Sequence, residues 1–272
     1  MAKKNRLDSI RTMIKAEKRV TVASLEKEFK VTGETIRRDL EALEAEGLVN
    51  RTYGGAVLAA PHSAAAQISF VQRAQIHVQE KRRIAELAAT LIPDGRVVIG
   101  VDSSTTVFEL LPHMKDNEDL LLMTYSLNVL NEMLDSRGMV MSTGGPLRKS
   151  RSIFYGTIAQ KTITDHYTDI FFSSCKGLDM NSGVFDTDPE EVALKQAMAD
   201  HSKKLVLLAD HSKFGTVAFA RLFDFNQVHA IITDACPSNA WVRLLKESNV
   251  TLLYPSDRFG DGRVTNPAEA VP

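Results

Sequence analysis

Residues 32–46 read TGETIRRDLEALEAE, and this stretch decides how the amino-terminal part of the chain folds. Ile36, Leu40 and Leu43 recur at the spacing of one helix face, which leaves the charged side chains between them on the other face. Thr32 is a residue type that caps helix N-termini. The stretch therefore predicts an amphipathic helix that begins after Thr32 and presents an arginine pair to solvent.

Two shorter helical patterns precede this helix, and a ribbon pattern follows it. The spacing of apolar residues predicts helices over 5–16 and 22–29, and Thr21 fits the N-cap of the second. Residues 48–57 read as a two-stranded ribbon with its bend at Gly54-Gly55. Two helices joined by a tight turn and followed by a ribbon are typical of a winged helix-turn-helix, whose second helix enters the DNA major groove.

The predicted recognition helix supplies candidates for DNA contact. Arginine forms paired hydrogen bonds with guanine, and residues near the start of such a helix reach base edges. Thr35, Arg37 and Arg38 are therefore candidates for reading bases. Residues expected to contact or position the phosphate backbone are Thr21, Thr32, Lys3, Lys4, Arg6 and Arg51. An arginine pair alone more often marks a solvated surface, but its place within this helix-and-ribbon pattern favours DNA.

Charge and composition divide the chain into a basic head and an acidic body. The formal net charge is -1, yet residues 1–58 hold more Lys and Arg than Asp and Glu, and the remainder holds the opposite excess. Residues 59–66 are small and have no amphipathic period, which is typical of linkers. We predict a DNA-binding domain over 1–58, a linker over 59–74, an α/β domain over 75–258 and a loose tail over 259–272.

Beyond residue 75 the sequence alternates between helical segments and short apolar strands. A helix over 80–91 precedes a first apolar strand over 96–101. Further strands are predicted over 120–124, 139–142, 170–174, 205–209, 230–233 and 251–254. Near-continuous apolar strands separated by helices indicate a mainly parallel sheet covered by helices on both faces. Ligands of such sheets bind beyond the carboxyl ends of the strands.

The first of these strand ends carries a run of hydroxyl side chains. Asp102 is followed by Ser103, Ser104, Thr105 and Thr106 at the predicted start of a helix. Hydroxyls and backbone amides at a helix N-terminus form anion sites. Plain N-capping needs only one such residue, so the run favours a bound phosphate over a cap alone.

The later strand ends add polar and glycine residues to the same rim. In chain order these residues are Thr124, Ser126, Gly144, Gly145, Lys176, Gly177 and Lys213. Each is ordinary in a strand-to-helix turn. Their recurrence along one rim predicts a polar cleft of ligand size.

The head of the chain closely resembles that of the DeoR family of bacterial transcriptional regulators. The stretches that carry this resemblance are 35–40 (TIRRDL), Glu44, Gly47, Arg51 and 53–56 (YGGA). The body resembles the sensor domain of the same family, which is similar in fold to ribose-5-phosphate isomerase, at 102–106, Thr124, Ser126, 144–145, 188–195 and 210–215. The resemblance implies a DNA-binding regulator of carbohydrate metabolism, expected to be a repressor, that responds to a phosphorylated sugar.

Two positions depart from the family pattern. The family often has Asn where Tyr125 stands, and it has small residues around the position of Lys176. Glu190, Glu191 and Lys195 follow on a predicted helix and have two interpretations. Glu191 and Lys195 form a surface ion pair at i,i+4 spacing, or the three residues hold sugar hydroxyls.

Two other functions stay open at the level of sequence. One is a sugar-phosphate isomerase-like enzyme with a DNA-binding-like head, for which Asp102, Glu190 or Glu191 could be the base, although no spacing requires it. The other is an architectural DNA binder with an inactive body, against which the hydroxyl-rich rim argues. For the regulator, paired operator half-sites imply a homodimer or homotetramer on double-stranded DNA.

Composition narrows the class of protein further. The sequence has no apolar run near the ~20 residues that span a bilayer, and no signal peptide pattern follows Met1. Its two cysteines, Cys175 and Cys236, are too few for a disulfide framework or a metal cluster, and its seven histidines lack ligand spacing. We therefore expect a cytoplasmic protein without a membrane anchor, a metal or a cofactor.

Overall fold

The computed structural model describes residues 3–17, 19–45, 49–52, 54–58 and 70–255. Within it the chain divides into two units, residues 1–75 and 76–272. Predictions for Gly47, Tyr53, the first part of the linker and the tail lie outside the described residues. The predicted domain boundaries stay predictions.

The first unit contains three principal helices and a small antiparallel sheet. Its helices are α1 (Lys3–Glu17), α2 (Val22–Phe29), α3 (Gly33–Ala45) and the short α4 (Phe70–Ala74), and its strands are β1 (Arg19–Thr21), β2 (Val49–Thr52) and β3 (Gly55–Leu58). The strand order is β1-β3-β2. The ribbon was predicted with two strands, and β1 adds a third by pairing with β3.

Apolar residues from α1, α2, α3 and the three strands form the core of the first unit. Ile10 and Ile14 from α1, Leu25 from α2 and Ile36 from α3 are fully buried. Helix α2 begins at a capping box in which the Thr21 hydroxyl accepts a hydrogen bond from the Ser24 amide at 3.1 Å. This local signal explains why the predicted bounds of α2 match the structure.

The second unit is an α/β domain. Its helices are α5 (Val78–Ala89), α6 (Thr105–Phe108), α7 (Leu127–Glu132), α8 (Gly156–Thr164), α9 (Pro189–Asp200) and α10 (Asn239–Glu247). Its strands are β4 (Val97–Val101), β5 (Leu120–Thr124), β6 (Met139–Ser142), β7 (Leu147–Arg148), β8 (Ile153–Phe154), β9 (Thr168–Ser174), β10 (Gly177–Asp179), β11 (Gly183–Asp186), β12 (Ser202–Leu208), β13 (Ala220–Phe223), β14 (Ala230–Ile232) and β15 (Thr251–Leu253).

Seven strands of this unit form one parallel sheet in the order β15-β14-β12-β9-β4-β5-β6. Consecutive residues of β9 show that both faces are covered. Phe171 belongs to the apolar cluster that includes residues of α8, α9 and α10, and Phe172 belongs to the cluster with residues of α5, α6 and α7. The predicted parallel sheet with helices on both faces is therefore confirmed.

Two smaller antiparallel elements were not predicted. One is the three-stranded sheet β10-β11-β13, and the other is the hairpin β7-β8. The hairpin is joined to the end of β5 by backbone hydrogen bonds from Phe154 to Tyr125 and from Leu127 to Ser152, both 2.8 Å long. It therefore lies beside the end of the parallel sheet where the strands finish.

Candidate DNA-reading helix and ligand cleft

Helix α3 turns its apolar side chains to the core and its polar side chains to solvent. Ile36, Leu40 and Leu43 are buried, whereas Arg37 and Arg38 expose 57% and 74% of their side chains. This is the division of faces that the apolar spacing predicts.

The turn between α2 and α3 is short. Lys30 ends α2 in the left-handed conformation, with a φ of 52°. The Thr32 carbonyl then accepts a hydrogen bond from the Ile36 amide at 3.1 Å, and the hydroxyls of Thr32 and Thr35 lie 3.1 Å apart. Both threonines therefore lie at the start of α3, in the turn before the arginine pair.

Glu34 contacts both exposed arginines. Arg38 Nε is 3.3 Å from Glu34 Oε1, and Arg37 Nη1 is 4.0 Å from Glu34 Oε2. Ion pairs as exposed as these contribute little stability because water screens the charges. The guanidinium groups can therefore exchange Glu34 for another anion with little loss.

Arg6 corrects one prediction. Its guanidinium is buried and pairs with buried Asp39, with Nε–Oδ2 and Nη2–Oδ1 distances of 2.5 and 3.2 Å. This bidentate pair joins α1 to α3, so Arg6 is not placed to contact a phosphate. The sequence hid this because the two residues are far apart along the chain.

The other phosphate candidates divide into two groups. Thr21 is exposed, although its hydroxyl caps α2 and its amide donates to Ser24 Oγ at 3.2 Å. The side chains of Lys3, Lys4 and Arg51 lie outside the described part of the structure.

The parallel strands of the second unit end along one rim, because the carboxyl ends of parallel strands meet at the same edge of a sheet. The residues that directly follow the seven strands are Asp102, Tyr125, Thr143, Cys175, Ala209, Thr233 and Tyr254. The predicted effector residues on the strand ends therefore lie along this rim.

A buried lysine joins two carboxylates at the middle of the rim. Lys195 Nζ lies 2.7 Å from Asp186 Oδ2 and 3.1 Å from Asp102 Oδ2, and it donates to the Ser174 carbonyl at 2.8 Å. Asp102 is fully buried and accepts further hydrogen bonds from the Ser173 hydroxyl and the Ser174 and Ser104 amides, at 3.0, 2.9 and 2.8 Å.

These contacts keep Lys195 charged. Burial disfavours the ammonium group, but Asp102, Asp186 and Glu191 outweigh it and raise the pKa of Lys195 well above its ordinary value. Burial likewise opposes ionisation of Asp186, and Lys195 outweighs it and lowers the pKa of that carboxyl. The centre of the rim is therefore a fixed network of opposite charges.

The β7-β8 hairpin contributes two arginines that the sequence analysis missed. Arg151 contacts Glu191 at 2.8 Å and Asp188 at 2.9 Å, while Arg148 contacts Asp188 at 2.9 Å and also pairs with Glu190. These carboxylates lie at the start of α9. In a sequence, basic residues on a short hairpin look like ordinary surface.

Of the two interpretations of Glu191 and Lys195, the surface ion pair is the one that the structure contradicts. Both residues are buried, and they contact different partners, since Lys195 joins Asp102 to Asp186 while Glu191 accepts hydrogen bonds from Arg151 and the Ser103 hydroxyl. Burial of the α9 face on which they lie places them inside the rim rather than on a solvated surface. Their i,i+4 spacing is incidental.

The hydroxyl run at 103–106 begins a helix of four residues, α6. A single turn has little macrodipole, so the expected anion site at a helix N-terminus does not follow from α6 itself. Ser104 Oγ accepts a hydrogen bond from the Val107 amide at 3.2 Å, while Thr105 and Thr106 are buried. The run therefore includes one cap, together with hydroxyls close to the charged network.

At the remaining strand ends, capping hydrogen bonds and glycine backbone conformations fix the local structure. Ser126 Oγ caps α7 by accepting from the Val129 amide at 3.4 Å, and Thr124 Oγ1 accepts from the Ser126 amide at 3.1 Å. Gly144 and Gly145 have φ values of +66° and +96°, which side chains other than glycine rarely adopt. A Cβ on Gly177 would come within 2.1 Å of the Thr216 carbonyl oxygen.

The end of β12 carries Lys213 and His211. Lys213 is partly exposed, and its Nζ lies 3.7 Å from Oδ2 of buried Asp210. His211 Nδ1 lies 2.8 Å from Asp234 Oδ2, and the His211 ring meets the His77 ring edge to face at 5.4 Å. The hydrogen bond to Asp234 raises the pKa of His211 above its ordinary value.

Three buried hydroxyls in the described residues have no hydrogen-bond partner, and all three lie on the rim. They belong to Tyr125, Thr143 and Thr233, which directly follow β5, β6 and β14. Buried polar groups in proteins nearly always have a partner, whether protein, water or ligand. Their shared position supports the rim as a ligand site. Tyr125 and Thr143 were not predicted as site residues, because no local pattern reveals a hydroxyl without a partner.

Metal binding, thiol chemistry and membrane insertion can each be checked against the described residues. No group of three or more His, Cys, Asp or Glu residues there could hold a metal ion. Burial raises the pKa of the Cys175 thiol to about 12, so it stays protonated, and Cys236 is exposed. No helix among the described residues is long and apolar enough to cross a membrane.

Two family models match the chain. The DeoR-like helix-turn-helix domain matches residues 6–62, and the DeoR C terminal sensor domain matches residues 76–235. The two matches cover both units of the chain.

Characterised and uncharacterised regulators are similar over most of the chain. A repressor from Bacillus subtilis, GlcR, is 32% identical over 96% of this chain and 99% of its own length. An uncharacterised HTH-type regulator from the same organism, YulB, is 34% identical over 85% of this chain and 88% of its own. The putative aga operon transcriptional repressor of Escherichia coli O157:H7 is 30% identical over 84% and 85%.

Among solved structures, ribose 5-phosphate isomerase from Plasmodium falciparum aligns with 49% of this chain and 52% of its own, at 17% identity and a TM-score of 0.37.

Proposed function

The chain belongs to the DeoR family of transcriptional regulators, and on that premise we propose that it is a repressor of a carbohydrate-metabolism operon that a phosphorylated sugar controls. The observation that carries the proposal is the set of unpartnered buried hydroxyls on the rim of a chain whose head presents an exposed arginine pair. The family consists of regulators, so the isomerase-like enzyme alternative does not hold.

The DNA-binding part of the proposal rests on α3. Arg37 and Arg38 are exposed and pair with the exposed Glu34, so they can contact guanines or phosphates. Thr35 lies within the same turn of α3, just before them, and joins them as a candidate for base readout. Thr21, Thr32, Lys3 and Arg51 remain candidates for the phosphate backbone.

The effector part of the proposal rests on the rim. Its candidate contacts are Asp102, Ser103, Ser104, Thr105, Thr106, Thr124, Ser126, Gly144, Gly145, Lys176, Gly177, Glu190, Glu191, Lys195 and Lys213. Lys195 and Glu191 belong to the fixed charge network, so they would hold the cleft in shape as well as contact sugar hydroxyls. Lys213 is partly exposed and is the candidate for the phosphate.

The names of relatives support a carbohydrate operon. One relative is named a repressor of an aga operon, and another, 28% identical over 93% of this chain, is named the glycerol-3-phosphate regulon repressor of Escherichia coli. We extend repression, and control by a phosphorylated sugar, to this chain. Operators are read as paired half-sites, so the acting form is a homodimer or homotetramer.

A phosphosugar panel tests the effector, with thermal unfolding of the full-length chain as the readout. An effector present at 100 times its Kd should stabilise the folded state by ~2.7 kcal/mol. Operator affinity is then titrated with and without the stabilising compound, and a change in affinity is expected because the effector must prefer one of two states. A protein that binds operator DNA but responds to no phosphosugar would be the architectural binder instead.

Matched lysine variants locate the phosphate. Lys213→Ala removes a cation from the rim beyond the end of β12, whereas Lys204→Ala removes an exposed cation near the start of β12. We expect only Lys213→Ala to weaken the effector response while leaving operator affinity unchanged. An equal response in both variants would remove Lys213 from the site.

A further inference from the structure

The Tyr125 side chain ends in a buried hydroxyl without a partner. Its ring is fully buried in the apolar cluster that contains Phe171 and Met198. Its hydroxyl makes no hydrogen bond of normal geometry with the described residues, although the Ser103 amide lies close enough to oppose the rise in its pKa. Burial raises the pKa of Tyr125 well above its ordinary value, and the charges of Glu191, Asp102 and Asp186 raise it further. The phenol therefore stays protonated and can donate a hydrogen bond.

Three carboxylates influence this hydroxyl, and together they form what we call the acidic floor: Asp102, Asp186 and Glu191. All three are buried. Lys195 forms ion pairs with Asp102 and Asp186, and Arg151 forms ion pairs with Glu191 and Asp188. Arg148 pairs with Asp188 and with Glu190, so three cations meet five carboxylates in this network. The charge of Lys176 also acts on Asp186, and even with this fourth cation the network keeps an excess of negative charge.

An excess of buried negative charge selects among ligand groups. A carboxylate or phosphate placed against the floor would be repelled, and the repulsion is strong where water is excluded. A sugar hydroxyl is uncharged, can accept a hydrogen bond from Tyr125 and can donate one to a floor carboxylate. The floor therefore suits a neutral group that both accepts and donates.

We propose that the end of the effector remote from its phosphate is an uncharged, hydroxyl-bearing carbon chain, and that Tyr125 is the residue that recognises it. The inference rests on the proposed control by a phosphorylated sugar. It excludes sugar acids, whose carboxylate would face the floor. It also directs the phosphate away from the floor.

Pairs of compounds that differ in this end test the ligand class. The probes are glucose 6-phosphate with 6-phosphogluconate, and glycerol 3-phosphate with 3-phosphoglycerate, titrated calorimetrically into the full-length protein. We expect the neutral member to bind at least about ten-fold more tightly, a difference that one lost hydrogen bond to a charged group can supply. Equal or tighter binding of the acid overturns the inference and leaves the proposed phosphosugar control intact. Binding of neither member of either pair counts against both.

Tyr125→Phe tests the residue. The hydroxyl makes no hydrogen bond of normal geometry with the described residues, so its removal should leave Tm unchanged or higher, while the Kd for the neutral probe rises about ten-fold. Tyr167→Phe removes the hydroxyl of an exposed tyrosine in the same unit and should change neither quantity. A Tyr125→Phe protein with a lower Tm and an unchanged Kd would show that the hydroxyl is structural, and the inference would fall.

Discussion

The exposed face of α3 and the rim of the parallel sheet are both rich in charge, but they hold it in different ways. On α3, Arg37 and Arg38 share one exposed glutamate. On the rim, Lys195 is enclosed by two buried carboxylates. Exposed charges contribute little to folding and stay available to a partner, whereas a buried charge that loses its partner destabilises the folded unit. Substitution on the first surface should therefore change binding, and substitution in the second should change stability.

The largest expected effect comes from the buried centre of the rim. Lys195→Met leaves Asp102 and Asp186 buried without their cation, and breaking such a pair costs about 3–5 kcal/mol of unfolding free energy. Denaturant unfolding of the full-length chain measures it. Lys203→Met, which breaks an exposed pair with Asp169, should leave the unfolding midpoint almost unchanged.

A second substitution checks that charge, rather than packing, explains that loss. Lys195→Met combined with Asp186→Asn removes one of the two stranded carboxylates and should recover part of the lost stability. If the double variant is no more stable than Lys195→Met alone, the ion pair is not what holds the rim together.

The second expected effect concerns Arg6, a buried charge of the head whose pair with Asp39 should stabilise the fold. Arg6→Met removes both hydrogen bonds to Asp39 and strands that carboxylate, so we expect a loss of about 2 kcal/mol. Circular dichroism melts of the full-length chain should detect it, with weaker operator binding only at temperatures where the head has begun to unfold. Lost operator binding with unchanged stability would return Arg6 to the phosphate contacts.

The third effect is on affinity rather than stability. Arg38→Ala should weaken operator binding by ~1–3 kcal/mol if Arg38 pairs with a guanine, and the Arg37→Ala, Arg38→Ala double variant should lose more. Neither should shift the unfolding midpoint, because the ion pairs to Glu34 are exposed. Arg243→Ala removes an exposed arginine from the other unit and serves as the control. Unchanged operator binding by the double variant would remove α3 from the interface.

The same contrast explains how far the sequence could predict the molecule. The apolar face of α3, the cap at Thr21 and all seven parallel strands are local patterns, and each was predicted with ends close to those observed. Strand β1 has three residues, and its extended form depends on pairing with β3, so no local signal marks it. The same holds for the sheet of β10, β11 and β13.

The chemistry of the rim depends on contacts between distant residues. Asp102 meets Lys195, and Arg151 meets Glu191, only because the fold brings β4, the β7-β8 hairpin and α9 together. Sequence reasoning could place Asp102 and Lys195 on the rim through the family resemblance, but it left a surface pair open for Lys195 and assigned Arg6 to the DNA. The open alternative for Lys195 and the wrong assignment of Arg6 both came from treating a charged residue as exposed by default.

The smallest expected effect concerns His211, whose side chain is neither as exposed as the arginines of α3 nor as buried as the charges of the rim. The hydrogen bond that His211 Nδ1 donates to Asp234, together with the charges of Asp234, Asp210 and Glu80, raises the pKa of His211 in the folded state. A raised folded-state pKa means that protonated His211 stabilises the fold at pH values below its unfolded pKa, and that this contribution is lost as the pH rises through the folded pKa. Because the side chain is 53% exposed, solvent screens the pair, and we expect the wild type to gain no more than about 2 °C in Tm relative to His211→Gln on going from pH 8 to pH 6. The measurement is the difference between the two proteins at each pH, which cancels the titration of all other groups. A His211→Gln protein whose deficit grows toward high pH would mean that neutral His211 is the stabilising form, and that Asp234 acts on its Nδ1 proton rather than on its charge.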